Sequence, residues 1–305
     1  MNMVKNKYFL FGLFLFLISD FVQSQVYGGF ANQYFQNKYL LNPAYVGTDE
    51  NGLALWMNYR SNNTDIEGKP QTFAITADMP FKNFGIGTLF SSDQSGNFSA
   101  VKFLGSMSYV VKFKRTKFLK MGLSAGYYKE RLLTNNITDL SVIPSNSKIA
   151  DYSNRSGMFD GNAGIVLVYN NFDIGVGLPN FKAFQGSSLD FSICNGFFSY
   201  KLESQSVNLT PIAYYQLFKQ GKQVLDLGGQ VELLNKLFLM GMFNTSVRGT
   251  LVGLGYNHIN NFKISFYYSV STDVAVNNFG GAFEIGVSLY PKALLAKRYA
   301  EEEDN

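Results

Sequence analysis

The stretch Phe172-Asp173-Ile174-Gly175-Val176-Gly177-Leu178 alternates large apolar side chains with Asp and Gly, one residue after another. Alternation with a period of two is typical of a β-strand whose two faces meet different surroundings. One face of this strand is apolar and bulky, whereas the other carries one carboxylate and two glycines. The stretch therefore predicts a strand with an apolar side toward lipid or a core and a small polar side toward a narrow space.

The same alternation recurs along the chain, for example over 224–233, 262–270 and 282–289. After the N-terminal region, no segment shows helical periodicity over more than a few turns, which argues against a helical fold. Fourteen strands are predicted, at 53–60, 71–79, 84–92, 100–112, 118–131, 162–169, 172–178, 189–201, 207–216, 223–233, 237–244, 250–256, 262–270 and 280–290.

The polar face of these strands consists mainly of Gly, Ser and Asn, with an occasional charged residue. A soluble β-sandwich would instead carry many Lys, Glu and Thr on its outward face. Aromatic residues also cluster near many predicted strand ends, as they do in the girdles of membrane barrels. An even strand number is expected of a single-chain outer-membrane barrel. The sequence therefore predicts an all-β protein, a single antiparallel transmembrane β-barrel of about 14 strands in the bacterial outer membrane.

The connections between predicted strands provide a second indication. With the N-terminus in the periplasm, the periplasmic turns have five residues or fewer, whereas the external loops reach about thirty residues. Short periplasmic turns and longer external loops are typical of such barrels. The longest loop, 132–161, is rich in Asn and Ser and is predicted to be a mobile or partner-contacting surface.

Composition limits the other possibilities. The chain of 305 residues has only 16% charged residues, against roughly 25% in soluble domains, and 16% aromatic residues. One Cys and one His exclude an internal disulfide and argue against a Cys/His metal site. The net charge of +4 is scattered, which is unlike the charge pattern of a nucleic-acid-binding protein. We therefore expect no cofactor, no metal and no nucleic-acid partner.

The first 24 residues are predicted to be a signal peptide cleaved before Gln25. Lys5 and Lys7 precede an apolar run over 8–18, and small or branched residues follow before the cleavage point. Eleven apolar residues form about 16 Å of helix, too short for a hydrocarbon core of about 30 Å. The only Cys, Cys194, is far from this point, which excludes a lipid anchor there.

The remaining chain is divided into three parts by the same criteria. Residues 25–52 are predicted to form an N-terminal periplasmic segment, 53–290 the barrel, and 291–305 an acidic C-terminal tail. The acidic run at the end of the tail is interpreted as a solvated end, with a docking peptide as the alternative.

Features that suggest catalysis have simpler explanations. The run Gly122-Leu123-Ser124-Ala125-Gly126 matches the G-x-S-x-G motif, but that motif needs a strand–turn–helix setting, and here it lies inside a predicted strand. His258, the single imidazole, is predicted in a short periplasmic turn at 257–261. Cys194 is predicted to be buried in the barrel wall or to face lipid. We therefore expect no enzyme. Several carboxylates within the strands are expected to face the lumen and pair with Lys or Arg, with ion or substrate selection as the alternative. The strand carboxylates are Asp78, Asp173, Asp190, Asp226, Glu232 and Glu284.

Several segments are more specific than a general barrel pattern. The run Gln33-Tyr34-Phe35-Gln36-Asn37-Lys38-Tyr39-Leu40-Leu41-Asn42-Pro43-Ala44-Tyr45-Val46-Gly47 resembles the "QY…N…NPAYAG" opening of the PorP/SprF family of type IX secretion outer-membrane proteins. Tyr59-Arg60 and Gly68-Lys69-Pro70-Gln71-Thr72 are similar to the family's "YR.QW…G.P.T" stretch, although Ser61-Asn62-Asn63 replaces the Gln-Trp. Phe283-Glu284-Ile285 resembles the closing "GGFEI" strand, with Ala282 inserted.

This resemblance implies a non-enzymatic barrel that assists export or surface attachment of a secreted cargo or adhesin, including in gliding motility. The implied partners are outer-membrane lipid, a cargo or adhesin C-terminal domain, and periplasmic secretion or motility components. The motif residues implied as candidates for partner contact are Asn42, Pro43, Ala44, Tyr45, Gly47, Tyr59, Arg60, Gly68 and Pro70.

Two questions stay open on the residues alone. Asn42-Pro43 forces a non-helical turn and Gly47 permits a positive φ, so the segment before the first strand is either a turn into the barrel or a hook that tucks under or plugs it. The alternative function is a passive porin or solute channel. An outer-membrane enzyme and a soluble secreted β-protein are further alternatives.

Overall fold

The computed structural model describes residues 32–48, 52–62, 68–132, 156–179, 193–218, 223–245, 249–258, 262–271 and 281–291. The predicted signal peptide, Asp190, most of the 132–161 loop and the acidic run of the tail lie outside these residues. Within the described part of the chain, no helix is long and apolar enough to cross a membrane.

The strands close into one antiparallel barrel in which each strand pairs with its neighbours in sequence and β1 pairs with β14. This confirms the predicted fold class, and β7, β10 and β11 have the predicted bounds. The strands are β1 (Ala54–Asn62), β2 (Gln71–Phe81), β3 (Phe84–Ser95), β4 (Phe98–Lys114), β5 (Lys117–Leu132), β6 (Met158–Tyr169), β7 (Phe172–Leu178), β8 (Ile193–Tyr200), β9 (Val207–Phe218), β10 (Gln223–Leu233), β11 (Leu237–Asn244), β12 (Gly249–His258), β13 (Phe262–Ser271) and β14 (Ala282–Leu289).

The two faces of the strands separate as the alternation predicts. On β7, Phe172, Ile174 and Val176 are exposed on the outside of the barrel, whereas Gly175 and Gly177 are buried inside. Exposed large apolar side chains occur on the outer face of every strand except β8 and β10, where they are fewer or confined to the ends. An apolar exterior around a closed barrel is the arrangement that matches a lipid environment.

Aromatic side chains mark the edge of this apolar surface near one end of the barrel. The rings of Phe84 and Tyr109 lie 4.9 Å apart, and those of Phe172 and Tyr200 lie 4.4 Å apart. The Nζ atom of Lys117 lies 3.8 Å from the ring centroid of Tyr169. Amphipathic rings and a neighbouring ammonium group at one level are typical of a membrane–water interface.

The two ends of the barrel differ in their connections. At the short-turn end, strands join through 82–83, 115–116, 170–171, 201–206, 234–236 and 259–261, whereas the other end, the long-loop end, has connections as long as 133–157. One predicted long loop, 93–99, is wrong, because β3 and β4 keep pairing as far as Ser95 and Phe98 and turn through Gly96.

Two further details differ from the prediction. His258 lies at the end of β12 instead of in the following turn, because it still pairs with Phe262, whose ring stacks on the imidazole at 5.1 Å. The β8–β9 ladder stops at Ser199 and Ile212. Pro211 follows at the next position and has no backbone N–H for the ladder, so the connection begins earlier there.

The outward position of Leu123 on β5 makes a test of the membrane-facing surface. Its side chain is 62% exposed near the middle of the strand. We expect Leu123→Lys to lower the free energy of unfolding by about 2–4 kcal/mol, because a charge at the bilayer midplane is poorly solvated. The measurement is reversible unfolding by urea in lipid vesicles. Leu234→Lys, at a short-turn position, is the control and should cost only about 0–1 kcal/mol. Equal losses would contradict the outward assignment.

Candidate functional site: the lumen and its plug

The lumen of the barrel is filled by the chain's own N-terminal segment. Residues 32–48, called the plug here, run through three short 3₁₀ helices at Asn32–Phe35, Lys38–Leu40 and Pro43–Tyr45. Ala44 and Val46 are completely buried, and Gln33 and Leu40 are no more than 1% exposed. The described part of the segment predicted to precede the barrel therefore lies inside it.

Strand glycines allow the plug to approach the wall closely. A Cβ atom at Gly85 would overlap the carbonyl group of Val46, and one at Gly122 would overlap the backbone of Pro43 and Ala44. Because these neighbours are backbone atoms, a side chain could not be accommodated by a simple rotamer change. The small inner face of β3 and β5 is thus a fitted surface for the plug as well as the lining of a lumen.

Gly47, near the end of the plug, forms a turn that only glycine adopts easily. Its φ of +63° lies in the left-handed region, and an added Cβ would lie 2.5 Å from the Cα of Gly85. Its backbone N–H donates to Asp78 Oδ2 at 2.7 Å. The chain can therefore turn away from the wall here and continue toward the start of β1.

Asn42 and Pro43 act as a helix cap. The Asn42 side-chain oxygen accepts a hydrogen bond from the Ala44 N–H at 2.9 Å, and Pro43 occupies the first helical position. The Asn42 amide also donates to the Val176 carbonyl of β7 at 2.9 Å. The opening motif thus combines a local cap with a bond to the barrel wall.

Further hydrogen bonds hold the middle of the plug. Asn37 Nδ2 donates to Thr76 Oγ1 at 2.8 Å, and the Tyr39 hydroxyl donates to Ser106 Oγ at 2.6 Å. Ser106 in turn lies 2.6 Å from Ser124 Oγ, and Ser108 Oγ donates to the Val46 carbonyl at 2.6 Å. Ser124, the serine of the G-x-S-x-G run, therefore belongs to the network that anchors the plug.

Two strand carboxylates bind plug side chains. Asp173 on β7 accepts a hydrogen bond from the Tyr45 hydroxyl at 2.6 Å and forms an ion pair with Lys38. Asp226 on β10 accepts from the Tyr34 hydroxyl. These two carboxylates face inward as predicted and both bind the plug, and Asp226 also accepts a hydrogen bond from Asn244 of the adjacent strand β11.

The side chain of Gln36 extends the polar contacts between plug and wall around the barrel. The Gln36 amide nitrogen donates to Gln230 on β10, and its oxygen accepts from Lys263 Nζ on β13 at 2.8 Å. Plug contacts thus reach strands from β2 to β14, which ties the segment to the whole circumference.

The wall opposite the glycines is large and apolar, which differs from the predicted small polar inner face. Tyr34 of the plug packs against Tyr214 of β9 with ring centroids 4.8 Å apart and ring planes tilted by 40°, and Tyr45 meets Phe197 of β8 edge-on at 6.4 Å. Bulky side chains fill the space that a thin plug leaves open on this side. On the strands from β8 to β13, the inward-facing members of this core are Phe197, Ile212, Tyr214, Phe238, Met240, Met242, Leu251 and Tyr267.

Toward the long-loop end, the inner face carries two ion pairs between strands. Lys102 Nζ lies 2.8 Å from Asp160 Oδ2, and both side chains are buried. Arg60 Nε lies 3.5 Å from Glu284 Oε1. Removing one member of the buried Lys102–Asp160 pair leaves an uncompensated charge, so this pair fixes the positions of β4 and β6 across the intervening β5. The Arg60–Glu284 pair joins the neighbouring strands β1 and β14.

The residues implied for partner contact do not form one surface. Asn42, Pro43, Ala44 and Tyr45 are buried in the plug, and Arg60 points inward to Glu284. Tyr59 faces outward beside Phe283, with ring centroids 6.4 Å apart. Gly68 and Pro70 are exposed at the long-loop end. In the described structure, most of the opening motif therefore serves the interior of the barrel.

No catalytic arrangement is formed by the described residues. Ser124 faces the lumen, whereas His258 is exposed on the outer face at the short-turn end, so the barrel wall separates them. Among the described side chains, no group of three or more His, Cys, Asp and Glu is placed to hold a metal ion.

A family profile described as "Type IX secretion system membrane protein PorP/SprF" matches residues 24–289, which is most of the chain. The barrel, its apolar exterior and this match define an outer-membrane protein of the type IX secretion system. The chain belongs to the PorP/SprF family. No curated protein matches it.

Solved outer-membrane barrels resemble the fold at low sequence identity. The CymD monoaromatic hydrocarbon channel has a TM-score of 0.50 and 11% identity, with 86% of this chain and 92% of that chain covered. The Pseudomonas putida toluene transporter TodX has a TM-score of 0.49 and 8% identity, covering 85% and 93%. Omp33 of Acinetobacter baumannii has a TM-score of 0.48 and 8% identity, covering 79% and 99%. At these identities the likeness concerns the fold alone.

Gly122 offers a direct test of the fit between plug and wall. We expect Gly122→Ile to displace the plug, because its side chain would overlap the backbone at Pro43 and Ala44. The readout is labelling of a cysteine at position 44 by a polar maleimide, in a Cys194→Ser background. Labelling should be at least tenfold faster in the Gly122→Ile variant.

Gly105→Ile is the matched control for this experiment. Gly105 lies on the neighbouring strand β4, where an added Cβ has only the Ala125 carbonyl oxygen near it, at 3.9 Å. Its labelling rate should equal that of the parent. Identical rates in all three proteins would refute the close approach at Gly122.

Proposed function

We propose that the protein is a non-enzymatic, plugged barrel that assists export or surface attachment of a secreted cargo or adhesin and links the outer membrane to periplasmic components. Membership of the PorP/SprF family supports the association with type IX secretion. The observation that carries the more specific proposal is the filled lumen, since a barrel without an open pore is suited to binding other proteins and poorly suited to passing solutes.

The orientation of the barrel follows from its connections. Outer-membrane barrels place short turns in the periplasm and long loops outside the cell. The long-loop end, with the exposed Gly68 and Pro70, therefore faces the cell exterior and the secreted cargo. The short-turn end faces the periplasmic components. Each class of partner thus has its own end of the barrel.

The signal peptide and the C-terminal tail are also part of this proposal. Residues 1–24 direct export and are removed. The mature chain then starts at Gln25, seven residues before Asn32, where the plug begins. Residues 291–305 follow β14 at the short-turn end and form a solvated acidic tail in the periplasm.

A porin or solute channel is the competing function, and the relatives of similar fold named as channels make it a specific alternative. We expect the purified protein to give no steady conductance in planar bilayers, because the plug is bonded to strands around the barrel. The double variant Gly85→Ile/Gly122→Ile should conduct, since both substitutions overlap the plug backbone. A conducting parent protein would overturn the plugged state and favour the channel.

The central test is affinity purification of the tagged protein from detergent-solubilised outer membranes, with mass spectrometry of the proteins recovered. We expect secretion components and one secreted cargo or adhesin. Pro70→Arg, an exposed change at the long-loop end, should reduce recovery of the cargo while periplasmic components remain.

Leu234→Arg is the matched control at the opposite end of the barrel, where the parent side chain is 66% exposed. It should leave cargo recovery unchanged. Recovery of the parent protein alone, at native expression, would refute the proposal. The N-terminal peptide in the same spectra should begin at Gln25.

A further inference from the structure

The hairpin between β4 and β5 projects from the short-turn end. The β3–β4 ladder starts at Phe84 and Tyr109, and the Val110 N–H donates to the Asn83 carbonyl at 2.8 Å. β4 continues for a further four residues to Lys114 and pairs on its other side with β5, with a shift of register between Lys112 and Lys114. The segment from Val111 to Lys114 therefore has a free edge on the β3 side, extending about 13 Å along the strand.

This free edge is strongly basic. Lys112, Lys114 and Arg115 are exposed, and none takes part in the ion pairs described above. Lys82, in the adjoining turn, is also exposed. No acidic residue occurs in the sequence between Asp93 and Glu130, so the hairpin contains nothing to neutralise this charge.

The positions of these charges argue against lipid as their partner. On β4, the even-numbered side chains such as Lys102, Leu104 and Ser108 face the lumen, so Lys112 follows the inward side of the strand. Phe113, 61% exposed, lies at the register shift between Lys112 and Lys114. The residues beyond Tyr109 also lie past the level of the Phe84–Tyr109 ring pair, which marks the interface. The basic groups are thus presented to the periplasm.

We infer that the Val111–Lys114 edge binds an extended acidic segment of a periplasmic protein by strand addition. An open strand edge supplies unpaired N–H and C=O groups that only another polypeptide backbone can match in register. The exposed Lys112 and Lys114, on either side of the register shift, then favour a strand that carries carboxylates over a neutral or basic one. This inference rests on the proposed link to periplasmic components and names the chemistry of one such partner.

Lysines on a free strand edge also discourage aggregation without binding anything. The two roles are separated by a binding experiment on the full-length protein in detergent micelles. The probe is a fluorescent decapeptide of alternating Glu and Val. We expect the double variant Lys112→Ser/Lys114→Ser to bind it at least tenfold more weakly than the parent.

The matched control is Lys201→Ser/Lys236→Ser, which removes two positive charges from other connections at the same end. Its affinity should stay within twofold of the parent. The same peptide with alternate backbone nitrogens methylated cannot pair as a strand, and it should also bind at least tenfold more weakly. Equal losses in both double variants, or full binding of the methylated peptide, would overturn the inference in favour of general electrostatic attraction.

The same peptide-binding experiment tests two other possible occupants of the edge, anionic lipid and the chain's own acidic run. Vesicles of phosphatidylglycerol should not compete with the peptide, and competition as strong as that of unlabelled peptide would assign the hairpin to lipid. Binding that appears only after deletion of residues 301–305 would show that the chain's own tail occupies the edge and would overturn a separate partner.

Co-purification separates this inference from the proposed function. If the parent recovers secretion components and Lys112→Ser/Lys114→Ser recovers the same set, the hairpin inference fails while the proposed function stands. If the parent recovers no envelope protein, the proposed function fails, and the peptide measurement still decides whether the edge binds acidic strands.

Discussion

The structure depends on the close approach between the plug backbone and the glycines of the barrel wall. At Gly85 and Gly122, the wall has no side chain where the plug passes, so backbone lies against backbone. This contact brings the cap of Asn42 and the hydroxyl of Tyr39 within hydrogen-bonding distance of the strands. Bulky residues such as Phe197 then fill the opposite side. Glycines on one wall, the thin plug and bulky side chains on the opposite wall together close the lumen.

Filling the lumen changes the role of its inward-facing polar groups. In an open barrel, inward carboxylates would meet water and ions and could select a solute. Here Asp173 binds Lys38 and Tyr45, and Asp226 binds Tyr34, so these groups fasten a segment of the same chain. The surfaces left for other molecules are the two ends of the barrel, which agrees with a protein that connects partners on opposite sides of a membrane.

The opening family motif shows that residues implied for partner contact can have a structural role. The run Asn42-Pro43-Ala44-Tyr45 was a candidate for partner contact, yet the described residues place it inside the barrel. A buried motif still bears on partners, because displacing it would open the lumen. Its physical signals, an Asn–Pro pair and a following glycine, predicted a non-helical turn, whereas Pro43–Tyr45 form a short 3₁₀ helix that Asn42 caps. These signals contained no information about what the segment packs against.

The sequence by itself determined the barrel. Period-two alternation specified the strands, their outward apolar faces and their bounds to within a few residues, because these depend on local periodicity and on the solvent at each face. The end of β12 at His258 and the tight β3–β4 turn through Gly96 depend on cross-strand pairing, which periodicity cannot measure. Only the tertiary structure decided that Asn32 to Thr48 fill the lumen, since Gly122 contacts Ala44 across 78 positions of the chain and no local pattern records such a distant fit.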